Sequence, residues 1–124
     1  MWGDMEHLAF LVGFGFLTAH ELDAVKCREW RIHPFFSWMS DSAGYIAFVA
    51  AHVPLYVLLL WAIFGTQIGG ANEAVVFWLN VFMIVHAALH VGFLLHPKNE
   101  FRSAFSWILI IGAGVAGAVD LAIT

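Results

Sequence analysis

The sequence predicts an all-α protein, a four-transmembrane-helix antiparallel bundle with helices at about 5–30, 45–64, 73–95 and 104–121 and with both termini outside. Three observations carry this. Hydrophobic residues make up 62% of the 124 and charged residues only 11%, and the mean hydropathy of +0.85 lies well outside the range of an ordinary soluble domain. The chain contains apolar runs near the ~20 residues that cross ~30 Å of hydrocarbon. All five basic residues, Lys26, Arg28, Arg31, Lys98 and Arg102, fall in or beside the first and third connections, while the middle connection has none. By the positive-inside bias, those two loops face the cytoplasm. No extramembrane stretch is long enough for a second domain, so residues 1–124 are expected to form a single integral membrane domain.

Segment one has an apolar stretch from Leu8 to Ala19, then a polar second half from His20 to Trp30 with no proline to interrupt it. It lacks a basic leader and a small-residue cleavage site, so it is expected to be retained rather than removed as a signal peptide. His33-Pro34 and Ser40-Asp41-Ser42 mark the following loop, with Phe35, Phe36 and Trp38 as interfacial anchors. In segment two, Pro54 is expected to kink the helix and free a carbonyl near His52. A turn-rich connector from Gly65 to Asn72 follows, and Asn72 with Glu73 suits the start of segment three, which should end at His96-Pro97. Ser103 can cap segment four, whose Gly112, Gly114 and Gly117 suit a small-residue packing face. With no strand before them, these glycines do not make a nucleotide loop. The single cysteine, Cys27, excludes an internal disulfide, and a net charge of −4 calls for no nucleic-acid partner.

The chemistry concentrates on histidine. His86 and His90 are four apart, one helical turn on the same face of an apolar run. An ionisable group inside a spanning helix is costly unless something pairs with it. At a ~1.5 Å rise per residue from the cytoplasmic ends, His20 lies ~10 Å deep, His52 ~13 Å, His86 ~14 Å and His90 ~8 Å. Glu21 and Asp23 lie ~9 and ~6 Å deep by the same count. A lone intramembrane histidine is ordinarily a hydrogen-bonded packing residue. Four on three helices in one layer point instead to a metal site of His20, His52, His86 and His90, with Glu21 and Asp23 as catalytic carboxylates. The nitrogen and oxygen set suits zinc, iron, manganese or copper(II), without choosing among them. A b-type haem clamped by His52 with His86 or His90 is the alternative cofactor. His7, His33 and His96 lie near interfaces and receive no role. Asp120 reads as a solvated or snorkelling carboxylate, Asn80 as an interhelical hydrogen-bonder, and Glu29 as a local partner of Arg28 or Arg31.

His20-Glu21-Leu22-Asp23-Ala24, followed by Glu29-Trp30 and a mid-helix His52, resembles an uncharacterised family of small four-helix bacterial membrane proteins with an HE(I/L)DA…EW pattern. The resemblance covers roughly the first half of the chain and implies that His20, Glu21, Asp23, Glu29 and Trp30 belong to a signature. A looser similarity is to the HXXEE membrane-protein family, whose literal string is absent. In ligand type, His86 and His90 with a separate histidine and aspartate are similar to zinc-dependent lipid amidases of the ceramidase superfamily, which have more spanning helices. The expected function is a membrane metalloenzyme, a hydrolase or oxidoreductase acting on a lipid-like substrate. The alternatives are a b-haem electron-transfer protein and a non-catalytic accessory subunit. Membrane lipid, a second copy or a larger complex are the expected partners, and the bacterial inner membrane the expected location.

Overall fold

The computed structural model describes residues 6–65 and 70–124. Four helices account for most of it: α1 (Leu8–Lys26), α2 (Asp41–Leu60, continued by a π-helical turn Trp61–Gly65), α3 (Glu73–Gly92) and α4 (Ala104–Ile123). All four are long and apolar enough to cross a membrane, and no strand occurs among the described residues. Met5, the expected start of the first helix, and Thr66 to Gly69 of the middle connector lie outside the described residues.

Capping residues set the boundaries more sharply than hydropathy does. Ser40, Asn72 and Ser103 each accept a bond from a backbone N–H three residues on, at Ala43, Val75 and Ser106. The Ser40 cap starts α2 four residues earlier than its apolar run implies. Helix α1 ends at Lys26, before its expected end at Trp30, because Arg28 takes a left-handed conformation (φ 51°) and the chain tightens into a 3₁₀ turn at Glu29–Arg31. The α2 helix continues through Pro54, although the pyrrolidine ring removes one backbone donor.

Contacts between helix ends give the topology. Arg28 holds Glu100 through two bonds of 2.8 and 2.7 Å, which joins the first and third loops at one end. At the other end His7, just before α1, meets Glu73 at the start of α3 and Asp120 near the end of α4. Helices α1 and α3 therefore run one way and α4 the other. A bond from the Asn72 amide to the Ile63 carbonyl (2.8 Å) returns α2 to the start of α3.

The core is a three-helix packing of α1, α3 and α4, and the small residues of α4 make it possible. A Cβ placed on Gly117 would sit 2.9 Å from the backbone carbonyl oxygen of Asn80, and one on Gly114 2.9 Å from the Cβ of Ala87. Such close approach is how helices associate where the solvent is itself apolar. By contrast, α2 buries only Gly44 and Phe48 along its regular length and stands away from the rest.

Asp120 departs most from the sequence reading. It is completely buried rather than solvated. Its Oδ1 accepts the Phe10 amide (3.1 Å), and its Oδ2 meets the Asn80 amide nitrogen (2.7 Å) and His7 Nδ1 (3.1 Å). His7 is likewise buried, with Nε2 2.8 Å from Glu73. Burial lowers the His7 pKa, but the bonds to Asp120 and Glu73 outweigh it and leave the pKa raised above 6.5.

Three outcomes follow for the fold. Asp120→Ala strands the donors of Phe10, Asn80 and His7 and should cost about 3 kcal/mol in a detergent unfolding assay. A raised pKa means that the stabilisation from His7 is complete below its ordinary pKa and is lost as pH rises through the raised value. The melting-temperature advantage of the wild type over His7→Gln should therefore shrink from mildly acidic to alkaline buffer. Gly117→Ala should destabilise by about 1–3 kcal/mol, because a backbone carbonyl must move. Gly15→Ala, whose Cβ meets nothing within 4 Å, should not.

Candidate metal centre

Where α1, α3 and the first loop meet, three imidazoles close into a triangle. The ring centroids are 4.8 Å apart for His20–His86, 4.8 Å for His20–His90 and 4.6 Å for His86–His90. The four-residue spacing in α3 stacks His86 and His90 on one face, and α1 supplies His20 opposite them.

Glu29 completes the group. The left-handed step at Arg28 turns the chain back, and Trp30 anchors it: the indole is buried against Gly44 and its Nε1 donates to Asp41 Oδ1 (3.1 Å). Arg31 also binds Asp41, its Nε lying 2.8 Å from Oδ1. These ties aim the Glu29 carboxylate inward, where its oxygens lie 3.6 Å from His20 Nε2 and 3.5 Å from His90 Nε2. Burial pushes the Glu29 pKa up, but the two imidazoles outweigh burial and hold it below the usual carboxylate range.

Ligand atoms of His20, Glu29, His86 and His90 all lie within 4.8 Å of one another, and the group could hold a metal ion. Two features separate it from a mere polar cluster. Separations of 3.5 and 3.6 Å are long for hydrogen bonds. They are made by different oxygens of Glu29, and the four ligand atoms spread to 4.8 Å, so the side chains would draw in to reach the edge, about 3.3 Å, of a tetrahedron whose metal–ligand bonds are about 2.0–2.1 Å. The buried, unpartnered side-chain atoms among the described residues are His20 Nδ1 and Nε2, Glu29 Oε2, His86 Nδ1, His90 Nδ1 and Asn80 Oδ1, so all but the last belong to this group. Buried polar groups are ordinarily satisfied, and an absent ion is one explanation for a local failure. Phe101 roofs the site, its ring 5.3 Å from His20 and 4.8 Å from His90. The Phe101 carbonyl is held by Trp107 Nε1 (2.9 Å).

The structure thus brings together His20, His86 and His90, and places the other expected site residues elsewhere. His52 is bonded to Glu21 (Nε2–Oε2, 2.7 Å) and to the Phe48 carbonyl (2.6 Å), and Glu29 occupies the place expected for it. The reason is the shortened α1: the polypeptide doubles back beneath His20 before α2 begins, so α2 meets α1 through Glu21 instead. Asp23 faces Cys27 Sγ at 3.8 Å and is not part of the cluster. Glu29 does not pair with its neighbouring arginines, which bind Glu100 and Asp41. The signal that could have found it was the Glu29-Trp30 pair in the resemblance, where the tryptophan is the anchor that orients the glutamate. The haem clamp expected of His52 with His86 or His90 lacks its first ligand, since both His52 nitrogens are engaged by Glu21 and the Phe48 carbonyl.

Four helices long and apolar enough to cross a membrane, with three histidines and a glutamate gathered where α1, α3 and the first loop meet, make a membrane helix bundle with a group that could hold a metal ion. The chain belongs to DUF6713, a family of unknown function, whose model matches residues 6–124. No curated protein and no solved structure matches it.

Elemental analysis of purified protein should find one ion per chain. His86→Ala, His90→Ala and Glu29→Ala should each weaken retention by more than the ~10–100-fold expected of a supporting-shell change. His52→Ala should retain the metal. Equal metal content in all of these variants and the wild type would remove the site.

Proposed function

We propose that this protein is a membrane-embedded, metal-dependent enzyme acting on a lipid-like substrate, with its ion held by His20, His86, His90 and Glu29. The supporting observation is the concentration of unpartnered buried atoms in those four side chains. Three neutral imidazoles and one carboxylate leave a divalent ion with one residual positive charge, which in a low-dielectric site favours a further anionic or polar ligand. When bound, such an ion polarises a carbonyl or lowers the pKa of a water.

The chain's own groups supply the rest. His20 has no exposed surface and Phe101 covers it, so bulk water is kept from this side. Glu21, next to His20 in sequence and bonded to His52, is the group we assign to proton transfer. Hydrolysis is the favoured reaction class, because it needs both a proton acceptor and a donor and the Glu21–His52 pair can be either. An oxidoreductase is the other outcome, which the metal in the purified protein would decide: a redox-active ion points to it and zinc does not.

The test asks whether the ion keeps an open position, since structural sites are closed and catalytic sites are not. Four protein ligands fill a tetrahedron, so an open position here must be a fifth: cobalt(II)-loaded protein should show four-coordinate visible bands that weaken toward five-coordinate ones when azide is added. Bands that form but ignore saturating azide would mark a closed, structural ion and overturn the enzyme reading.

A further inference from the structure

Because α2 stands off from the α1–α3–α4 core, adjoining cavities of about 490, 190 and 160 Å³ lie along its inner face, and Tyr56 lines all of them. The largest is walled by Phe14, Gly15, Ala19, Leu22 and Leu60, among others. The second runs inward between Leu17, Leu59 and Phe82. The third reaches His52 and Val49. Glu21 lines both of the smaller cavities, so a carboxylate and its imidazole partner stand in a mainly apolar cleft whose other polar side chains are Tyr56 and Thr18, the latter bonded to the Phe14 and Gly15 carbonyls. Both remain about one-fifth exposed, at 20% and 19%.

The geometry specifies the protons on this pair. A carbonyl oxygen only accepts, so the 2.6 Å contact with Phe48 makes His52 Nδ1 an N–H donor. The 2.7 Å contact between His52 Nε2 and Glu21 Oε2 then holds one further proton, carried either by the imidazole or by the carboxyl. In both forms the pair is neutral overall. Both protons are committed within the pair, so what it offers a guest is the remaining lone pairs of Glu21, which suit an uncharged head that donates a hydrogen bond.

We propose that the α1–α2 cleft binds a single-chain, uncharged amphiphile, a long-chain alcohol, with its hydroxyl donating to Glu21 of the Glu21–His52 pair and its chain along Phe14, Gly15 and Tyr56. The cleft leads toward the metal group. Phe82 lines the inner cavity and its ring lies 5.5 Å from that of His86. As a substrate site the cleft rests on the metal-enzyme reading, whereas its occupancy is measured without reference to the metal.

The experiment is photolabelling of the full chain in detergent with a diazirine-bearing octadecanol, read by mass spectrometry and competed with octadecanol or octadecane. Labelling should saturate, map to peptides containing Leu55 to Leu60 and Phe14 to Leu22, and persist in chelator-stripped protein. Octadecanol should compete about tenfold better than octadecane, which is what one hydrogen bond to the pair contributes. Glu21→Leu should abolish that preference while leaving labelling. Gly15→Phe should block labelling and leave metal content unchanged, since a Cβ at Gly15 meets nothing within 4 Å. Leu59→Trp serves the same purpose from the inner cavity, should Gly15→Phe fail to fold. Unsaturable labelling spread over all lipid-facing helices, equal competition by alkane and alcohol, or cross-links between chains through α2 in place of labelling would each overturn the proposal. Metal loss in the ligand variants with labelling intact supports both readings. Equal metal content in wild type and ligand variants with saturable labelling sinks only the metal-enzyme reading, and metal retained by the wild type without saturable labelling sinks only the cleft.

Discussion

His20 sits with no exposed surface inside an apolar bundle, and neither of its ring nitrogens has a hydrogen-bond partner among the described residues, the Glu29 carboxylate lying 3.6 Å from Nε2. A polar group in that position costs several kcal/mol in hydrocarbon unless something satisfies it, and the surrounding structure is arranged around it. Arg28 adopts a conformation that side chains rarely take, Trp30 wedges against Gly44, and Arg28 clamps Glu100. The joint effect is to turn Glu29 under His20 and to bring Phe101 over it. One ion coordinated by the four side chains would answer the unpartnered atoms of His20 and Glu29 together.

Two polar centres occupy opposite ends of the bundle and are built on different principles. At the His7–Asp120 end, hydrogen bonds form a chain: Glu73 to His7, His7 to Asp120, and Asp120 to Asn80 and the Phe10 amide. That end therefore acts as a structural tie among α1, α3 and α4. At the histidine end five buried side-chain atoms lack a hydrogen-bond partner among the described residues. Between them lies an apolar layer that includes Leu17, Met83 and Ala113. Met83 is fully buried, so this layer separates the two centres instead of linking them.

The uneven packing of the helices has a functional counterpart. Helix α4 approaches α3 so closely that glycine is required at Gly117, which makes the core rigid where the ligating histidines are mounted. Helix α2 carries His52 across a looser boundary. A rigid scaffold for an ion beside a cleft open to the bilayer suits a protein whose reactant dissolves in lipid and approaches from the side.

Much of the fold was legible in the residues. Hydropathy and run length dictate four spanning helices, and the distribution of arginine and lysine dictates which loops share an end. The polar cost of membrane burial singled out His20, His86 and His90, because depth along a helix is a property of sequence position alone. Depth does not determine facing. His52 lies at the right level but on a helix held away from α3, so it meets Glu21 instead. Glu29 has the wrong depth for a straight helix and joins the site only because the chain breaks at Arg28. Asp120 has the hydropathy of a surface residue, and its burial depends on His7, a residue far away in the chain that three helices bring to it. The local pattern thus determined which residues are costly to bury, whereas tertiary packing decided which of them meet, since a partner from another element leaves no mark on a residue's own neighbours in sequence.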